Sequence, residues 1–109
     1  MATKDSISWI IVNNSLKLTT RNLIRGNKFY NEKIVFSNDQ EYRVWTPYRS
    51  KLAAAILNGI EILPIIKKSR VLYLGTSEVI TPSHISDIIG TEGVVYVVEH
   101  SQENAKELI

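Results

Sequence analysis

Short apolar runs separated by turn-forming residues fill the first 45 positions of the chain. Four of these runs have the composition of strands; they are Ser8–Val12, Leu16–Thr20, Lys33–Phe36 and Tyr42–Trp45. Turn residues stand between them, at Asn13-Asn14, Arg25–Asn27 and Ser37–Asp39. Short runs with this punctuation predict antiparallel hairpins, so we interpret residues 1–45 as a small N-terminal antiparallel β domain, arranged as a meander.

The periodicity becomes helical after Trp45. Thr46 and Pro47 are typical of a helix start, with Thr at the N-cap and Pro at the first helical position. Apolar residues then recur at helical spacing and predict one buried stripe, formed by Leu52, Ala55, Ile56 and Ile60. The sequence therefore predicts a single helix over residues 47–60.

Two nearly continuous apolar runs follow, Arg70–Gly75 and Val94–Glu99, and such runs are typical of parallel strands covered on both faces. A helix between them opens at Thr81-Pro82 and ends at Gly90; its predicted buried residues are Ile85, Ile88 and Ile89. A third helix is predicted after the second run, capped by Ser101, with Ala105, Leu108 and Ile109 as its apolar stripe.

Residues 46–109 thus follow the order helix–βαβα, which is typical of the opening of a doubly wound, Rossmann-like parallel sheet. The predicted fold class is α/β. Two parallel strands cannot cover their own faces, and a doubly wound sheet usually has about five or more strands. We therefore interpret residues 46–109 as a truncated, incomplete Rossmann-like domain.

Composition narrows the classes of protein that the chain can belong to. Hydrophobic residues make up 44% and charged residues 22%, as in ordinary globular proteins. The chain has no cysteine, which excludes disulfide scaffolds, cysteine-based zinc sites and thiol catalysis. No apolar run approaches the roughly 18 residues of a membrane span, so we expect a soluble intracellular protein without a membrane partner.

Charge is unevenly distributed along the chain. Residues 1–60 carry a net charge of +5 and residues 61–109 a net charge of −3. A basic front half is compatible with an acidic partner such as RNA, and equally with a solvated surface. The candidate RNA contacts, each of which can also be ordinary surface, are Arg21, Arg25, Lys28, Arg43, Arg49 and Lys51.

Candidate chemistry lies at the turn after the first parallel strand, because ligands of doubly wound sheets bind at the carboxyl ends of the strands. Gly75 permits a tight turn there, and Thr76, Ser77 and Thr81 supply hydroxyl groups. Glu99 follows Gly75 by 24 positions, close to the spacing at which a carboxylate binds a ribose diol. The alternative is that Gly75 simply ends a strand and Glu99 is a surface carboxylate.

Three further ionisable residues have both a functional and a structural interpretation. Lys51, near the expected crevice, can stabilise an anionic oxygen or hold a phosphate, or it can be solvated surface. His84 and His100 lack a carboxylate cluster at ligand spacing, so no metal site is predicted. We expect them to cap helices or lie at the surface, with Asp87 a helical neighbour of His84.

Several long blocks of the sequence follow, in order, the pattern of a known protein family. The block Tyr42–Leu57, which reads YRVWTPYRSKLAAAIL, resembles the segment that joins the two domains of fibrillarin. Val71–Gly75 with Thr81–Gly90 resembles its first cofactor strand and helix, and Val95–Ser101 resembles its second strand. Matching blocks of the front β domain are Thr20–Leu23 and Tyr30–Lys33.

This resemblance implies an S-adenosylmethionine-dependent RNA 2′-O-methyltransferase of box C/D ribonucleoproteins, acting on rRNA and tRNA. It implies a guide RNA, a substrate RNA, a Nop-type scaffold protein and a kink-turn-binding protein as partners, and no DNA. Lys51 matches the first member of the family's catalytic Lys-Asp-Lys-His group, which stabilises the 2′-oxyanion. The residues implied to bind the cofactor are Gly75, Ile80, Thr81, Glu99 and His100.

Two departures from the family pattern change what we expect of this chain. The cofactor loop has Glu78, Val79 and Ile80 where the family has Ser, Gly and Thr, and these differences predict weaker cofactor binding. The other catalytic residues would lie beyond residue 109, so we expect the chain alone to be inactive. The alternatives are a non-catalytic docking module for a Nop-type scaffold and one half of a split methyltransferase.

The lack of a Gly/Arg-rich leader before Ile7 resembles the archaeal form of the family, for which a cytoplasmic location is expected. A eukaryotic form would be nucleolar.

Overall fold

The computed structural model describes residues 6–74, 79–98 and 106 of the chain. Four strands form an antiparallel sheet, and two form a separate parallel sheet. The strands are β1 (Ile7–Val12), β2 (Ser15–Arg21), β3 (Ile34–Ser37), β4 (Gln40–Val44), β5 (Arg70–Leu74) and β6 (Val94–Val98). The helices are a 3₁₀ helix (Pro47–Arg49), α1 (Lys51–Leu57) and α2 (Ile80–Ile89).

The two hairpins of the antiparallel sheet are set by their turns. Asn13 and Asn14 have φ of 50° and 63°, and Asn38 and Asp39 have φ of 51° and 64°. Two consecutive left-handed residues match the twist of flanking strands in a two-residue hairpin, and Asn and Asp tolerate this conformation. The hairpins predicted at these two turns are confirmed, whereas the strands on either side of the predicted turn Arg25–Asn27 are not neighbours in the sheet.

The arrangement of the hairpins differs from the predicted meander. The strand order is β1-β2-β4-β3, so β4 lies between β2 and β3. β4 carries Arg43, which is fully buried, and Trp45, also buried, follows it directly. A strand with these residues needs neighbours on both sides, whereas β3, which exposes Phe36, can form an edge. The meander prediction is therefore wrong.

The helix predicted over residues 47–60 is split in two. Thr46 caps only the 3₁₀ helix, and Ser50 then has extended backbone with φ −146° and ψ 112°. α1 begins after Ser50 and ends at Leu57, with Ala53 and Ile56 buried, while Ile60 lies outside it and is exposed. The hydroxyl of Ser50 makes this break stable, because it caps α1 by accepting a hydrogen bond from the Ala53 amide at 3.3 Å.

The parallel pair and its connecting helix agree with the prediction. β5 and β6 are parallel, with Leu72 opposite Tyr96 and Leu74 opposite Val98. α2 buries Ile85, Ile88 and Ile89, and it ends at Gly90, whose φ is 78°. The third predicted helix, from Ser101, lies outside the described residues apart from Lys106.

One face of this pair is not covered within the described part of the chain, contrary to the prediction of strands buried on both faces. Alternate residues of β5 and β6 are exposed. A single core cluster nevertheless joins the antiparallel sheet to both α-helices; its buried members are Ile7, Leu18, Trp45, Ala53, Ile56, Leu63, Ile80 and Ile88. The cluster draws residues from both sides of the predicted boundary at residue 45, and that boundary stays a prediction.

Candidate functional site

A cleft of about 960 Å³ opens where β5 ends and α2 begins. One wall consists of the 3₁₀ helix and the start of α1. The opposite wall includes Tyr73 and Leu74 at the end of β5, and Thr81 and Ile85 from α2. This is the carboxyl end of a parallel strand, where ligands of such sheets bind.

Two sequence-predicted site residues line this cleft together. Lys51 is the first residue of α1 and is exposed, whereas Thr81 lies in the first turn of α2 and is buried. Thirty positions separate them in the sequence, yet both border the same space. The fold thus brings a flexible cation and a fixed hydroxyl to one cleft.

Ser50 connects the two walls through three hydrogen bonds. Its Oγ accepts from the indole Nε1–H of Trp45 at 3.0 Å and from the Ala53 amide. The third partner is Thr81 Oγ1 at 2.7 Å. Since the two accepted bonds occupy both lone pairs of the Ser50 oxygen, its own proton is donated to Thr81. Ser50, which directly precedes Lys51, is therefore hydrogen-bonded to the first turn of α2.

Among the other residues predicted to bind the cofactor, the structure describes Ile80, which is not part of the cleft lining. Ile80 is fully buried in the core cluster. Gly75, Glu99 and His100 lie outside the described residues, as do the predicted hydroxyls of Thr76 and Ser77. The roles that the family resemblance implies for these residues stay predictions.

A buried network of charged residues joins the antiparallel sheet to α2. Arg43 is fully buried; its guanidinium is 2.8 Å from Glu32 Oε2 and 3.0 Å from Asp87 Oδ2. It also donates to Ser83 Oγ at 2.9 Å. The interpretation of Arg43 as surface, or as an RNA contact, is therefore wrong, because both carboxylates enclose its charge.

His84 is also fully buried, so its expected surface or helix-capping role is wrong. Its ring stacks on Trp45 with centroids 4.8 Å apart. Nδ1 is 2.7 Å from Thr20 Oγ1, and Nε2 is 2.6 Å from the Tyr30 hydroxyl. The side chain lies between the front sheet and α2.

The hydrogen bonds of Thr20 assign the tautomer of His84. Thr20 donates its only hydroxyl proton to Asp87 Oδ2 at 2.7 Å, so it accepts a hydrogen bond from Nδ1–H of His84. Nε2 of the neutral ring is then an acceptor for the Tyr30 hydroxyl, whose single proton is shared between Nε2 at 2.6 Å and the Val44 carbonyl oxygen at 3.2 Å. Asp87 is therefore more than a helical neighbour of His84, since both residues meet at Thr20.

Burial controls the titration of both groups. Removal from water, reinforced by the positive charge of Arg43, lowers the pKa of His84 to about 2. Burial also raises the pKa of Asp87, although Arg43, Thr20 and the Leu23 amide oppose that rise. His84 is thus neutral at physiological pH and serves as a rigid hydrogen-bonding spacer, with no proton to exchange with a ligand.

Neither a metal-binding cluster nor a membrane-spanning helix is found among the described residues. The described residues contain no group of His, Cys, Asp or Glu able to hold a metal ion. No helix among them has the length and hydrophobicity needed to cross a membrane.

Sequence reasoning overlooked Ser50 and misjudged Arg43. Ser50 stands directly before a helical apolar stripe, which is an N-cap signal, but Thr46-Pro47 gives the same signal earlier and obscures it. Arg43 interrupts an apolar strand run, yet its partners Glu32 and Asp87 lie 11 and 44 positions away. No local pattern identifies such distant partners.

Comparison with known proteins agrees with this architecture. The fibrillarin family model matches residues 3–109. The "Fibrillarin-like rRNA/tRNA 2'-O-methyltransferase" of Pyrobaculum islandicum is 50% identical over 93 residues, which are 85% of this chain and 40% of that protein. The protein of the same name from Methanopyrus kandleri is 46% identical over 106 residues, 96% of this chain and 46% of that protein.

Solved structures give the same result. Aeropyrum pernix fibrillarin, determined with natively bound S-adenosyl-L-methionine, superposes with a TM-score of 0.88 at 43% identity, covering 94% of this chain and 45% of that one. A chain of a fibrillarin/Nop5p complex superposes with a TM-score of 0.67 at 39% identity, covering 92% and 43%.

The described fold is thus an α/β fold in which α2 lies between an antiparallel sheet and the opening of a Rossmann-like parallel sheet. The chain belongs to the fibrillarin family, as the sequence blocks predict. It spans less than half the length of the relatives it matches.

Proposed function

We propose that this chain carries the amino-terminal part of an S-adenosylmethionine-dependent RNA 2′-O-methyltransferase, and that the cleft beside Lys51 holds part of its active site. The observation that supports this most strongly is the cleft itself. Lys51 and Thr81, which match different functional blocks of the family, border it together at the carboxyl end of β5.

The described residues fit the cofactor in size and in chemistry. A cleft of about 960 Å³ is within the range of sites for nucleoside-sized ligands. The start of α2 has no side-chain cap at Val79, and uncapped amide groups at a helix N-terminus favour an anionic group such as a carboxylate. Thr81 adds a hydroxyl at that end.

Each residue then has a defined task. S-adenosylmethionine supplies, when bound, a sulfonium methyl group that an oxygen nucleophile can attack. Thr81 and the first turn of α2 bind the polar methionine end, and Glu99 binds the ribose diol. Lys51 stabilises the negative charge that develops on the attacking 2′-oxygen of RNA, because a cation positioned beside a developing oxyanion lowers the energy of the transition state.

Calorimetric titration of S-adenosylmethionine into the folded chain tests the cofactor site. We expect saturable binding, weakened by Val79 and Ile80 where α2 begins and abolished by Glu99→Ala. Glu92→Ala is the matched control, because Glu92 is an exposed carboxylate whose surface ion pair with Lys68 spans 3.3 Å; this variant should bind like the wild type. A folded chain that takes up no cofactor at millimolar concentration would contradict the proposal.

The chain spans less than half the length of the relatives it matches, so we expect it to bind cofactor in isolation without turning over guide-directed RNA. Measured turnover by the isolated chain would show that Lys51 suffices without the rest of the family's catalytic group. A complementing second chain that restores activity would favour the split methyltransferase.

A Nop-type scaffold protein is the partner that the comparisons favour, since one structural relative was solved as a fibrillarin/Nop5p complex. We include this scaffold, together with guide and substrate RNA, in the proposed function. Cosedimentation of the chain with a Nop5-type protein tests it, and a chain that docks while binding no cofactor would favour the non-catalytic docking module.

A further inference from the structure

Ser50 joins the 3₁₀ helix to α1 and directly precedes Lys51. It is buried, with 3% of its surface exposed. Its hydroxyl group accepts hydrogen bonds from the Trp45 indole and the Ala53 amide and donates one to Thr81. A serine hydroxyl has one proton to donate and two lone pairs to accept with. The Ser50 hydroxyl is therefore fully used, and its position is fixed by its three partners.

The α2 end of this connection is held firmly. Thr81 stands between Ile80, which is fully buried, and Pro82, whose ring restricts the backbone. The Ser83 hydroxyl donates to the Ile80 carbonyl at 2.7 Å and accepts from the buried guanidinium of Arg43 at 2.9 Å. The first turn of α2 is therefore anchored to the front sheet, and Thr81 is a rigid hydrogen-bond partner.

A second route connects Ser50 to α2. The Trp45 ring, whose Nε1–H donates to Ser50, stacks on His84 of α2 with centroids 4.8 Å apart. Thr81 and His84 stand three positions apart in the sequence, so they are neighbours on the surface of the helix. Ser50 is thus attached to α2 at two neighbouring points, which opposes both sliding and rotation of the start of α1 against α2.

Lys51 depends on this attachment for its position. Its side chain is exposed, and no ion pair holds its ammonium group among the described residues. A lysine side chain has a long, flexible stem, so the space that its ammonium group can reach is set by where its backbone lies. Displacing an active-site group by about 1 Å can lower the rate roughly 10²-fold.

We propose that Ser50 is a positioning residue for methyl transfer. Its hydroxyl fixes the start of α1, and with it Lys51, relative to the turn of α2 that carries Thr81. The inference rests on the proposed function for the roles of Lys51 and Thr81, and it assigns Ser50 no contact with the reacting atoms. It follows that the first turn of α1 is restrained through the Ser50 hydroxyl when a cofactor occupies the turn at Thr81.

NMR of the ¹⁵N-labelled chain, recorded with and without S-adenosylmethionine, tests this role. The reporter is the Ala53 amide, which donates to Ser50, is fully buried and does not line the cleft. In the wild type, saturating cofactor should shift the Ala53 amide signal, because the hydrogen bonds of a chain polarise one another. Calorimetry on the same samples shows when the cofactor site is saturated.

Ser50→Ala should abolish this shift while the variant still binds the cofactor, and Ser50→Thr, which keeps the hydroxyl, should retain it. Thr46→Ala is the matched control, because Thr46 caps the neighbouring 3₁₀ helix and lies outside the cleft lining; it should show the wild-type shift. Thr81→Val removes the same hydrogen bond and leaves the cap of α1 intact, so it replaces Ser50→Ala if that variant does not fold.

A cofactor-induced shift at Ala53 that persists in Ser50→Ala or Thr81→Val would overturn the inference, and so would a saturated wild type without the shift. Neither result changes what calorimetry reports about the cofactor site. If calorimetry detects no binding by the folded wild type, the proposed function fails and this inference fails with it.

Discussion

Three charged side chains are almost completely shielded from solvent: those of Arg43, Glu32 and Asp87. Moving such ions out of water costs several kcal/mol each, which close pairing and additional hydrogen bonds must offset. Here Glu32 also accepts from the amides of Phe29 and Tyr30 at 2.9 and 2.8 Å. The group therefore holds the long β2–β3 connection, β4 and α2 in one arrangement.

The stability of the protein should depend on pH through His84. The folded pKa of about 2 lies below the ordinary value of 6.5, so the unfolded chain binds a proton between these values and the folded chain does not. The free energy of unfolding therefore falls as pH decreases below 6.5, by about 2 kcal/mol at pH 5. Urea unfolding at pH 7 and pH 5 measures this loss.

The variant His84→Gln isolates this contribution. Glutamine does not titrate, so the variant should be less stable at pH 7 but should lose less stability between pH 7 and pH 5 than wild type does. Asp87 acts in the opposite direction, because its raised pKa lets the folded chain take up a proton first, and it is present in both proteins. Equal pH dependence in the two proteins would contradict the assigned role of His84.

At the scale of secondary structure, the start of α1 decides where Lys51 lies. α1 has only seven residues, and an isolated helix of that length is unstable in water. It forms because Ser50 caps it and because Ala53 and Ile56 are buried. The same hydroxyl forms hydrogen bonds with Trp45 and Thr81. Both the start of α1 and its attachment to α2 therefore depend on Ser50 Oγ.

Ser50→Ala should lower the free energy of unfolding by about 2 kcal/mol, because it removes an N-cap and leaves buried donors without an acceptor. Thr46→Ala is the comparison, since Thr46 caps the three-residue 3₁₀ helix through an exposed bond of 3.3 Å; it should cost well under half as much. Chemical unfolding monitored by Trp fluorescence measures both. A cost for Ser50→Ala no larger than that of Thr46→Ala would show that the junction is not a stabilising unit.

At the scale of the whole molecule, the parallel sheet has two unlike faces. One face is covered by α2, which connects β5 to β6 and packs against β6. Gly93, directly before β6, allows this close approach, because a Cβ added there would lie 2.7 Å from side-chain atoms of Ile89. The other face presents apolar side chains that are 41% to 70% exposed; they are Leu72, Leu74, Val94, Tyr96 and Val98. A contiguous apolar face of this kind favours association.

We expect the isolated chain to associate in a concentration-dependent way through this face. Leu74→Lys should reduce the association, because a lysine on the face would have to leave water on contact. Phe36→Lys, which changes an exposed apolar residue on the antiparallel sheet, should have little effect. Sedimentation velocity over a range of concentrations distinguishes these outcomes, and a wild-type chain that is monomeric throughout would refute the prediction.

The sequence by itself determined the local elements. The two hairpin turns follow from Asn13-Asn14 and Asn38-Asp39, and the end of α2 follows from Gly90, because the backbone preferences of these residues act over a few positions. The apolar runs of β5 and β6 likewise predict a parallel pair. The family blocks of the sequence predict the family to which the chain belongs.

Only the tertiary structure decided which residues meet. Two caps compete at Thr46 and Ser50, and Ser50 begins the α-helix because its hydroxyl also reaches Thr81 in another element. Arg43 and His84 look like surface residues in a local window, but partners far along the chain enclose them. The free energy of such contacts depends on burial and on distance in space, and neither quantity is encoded in the local pattern of residues.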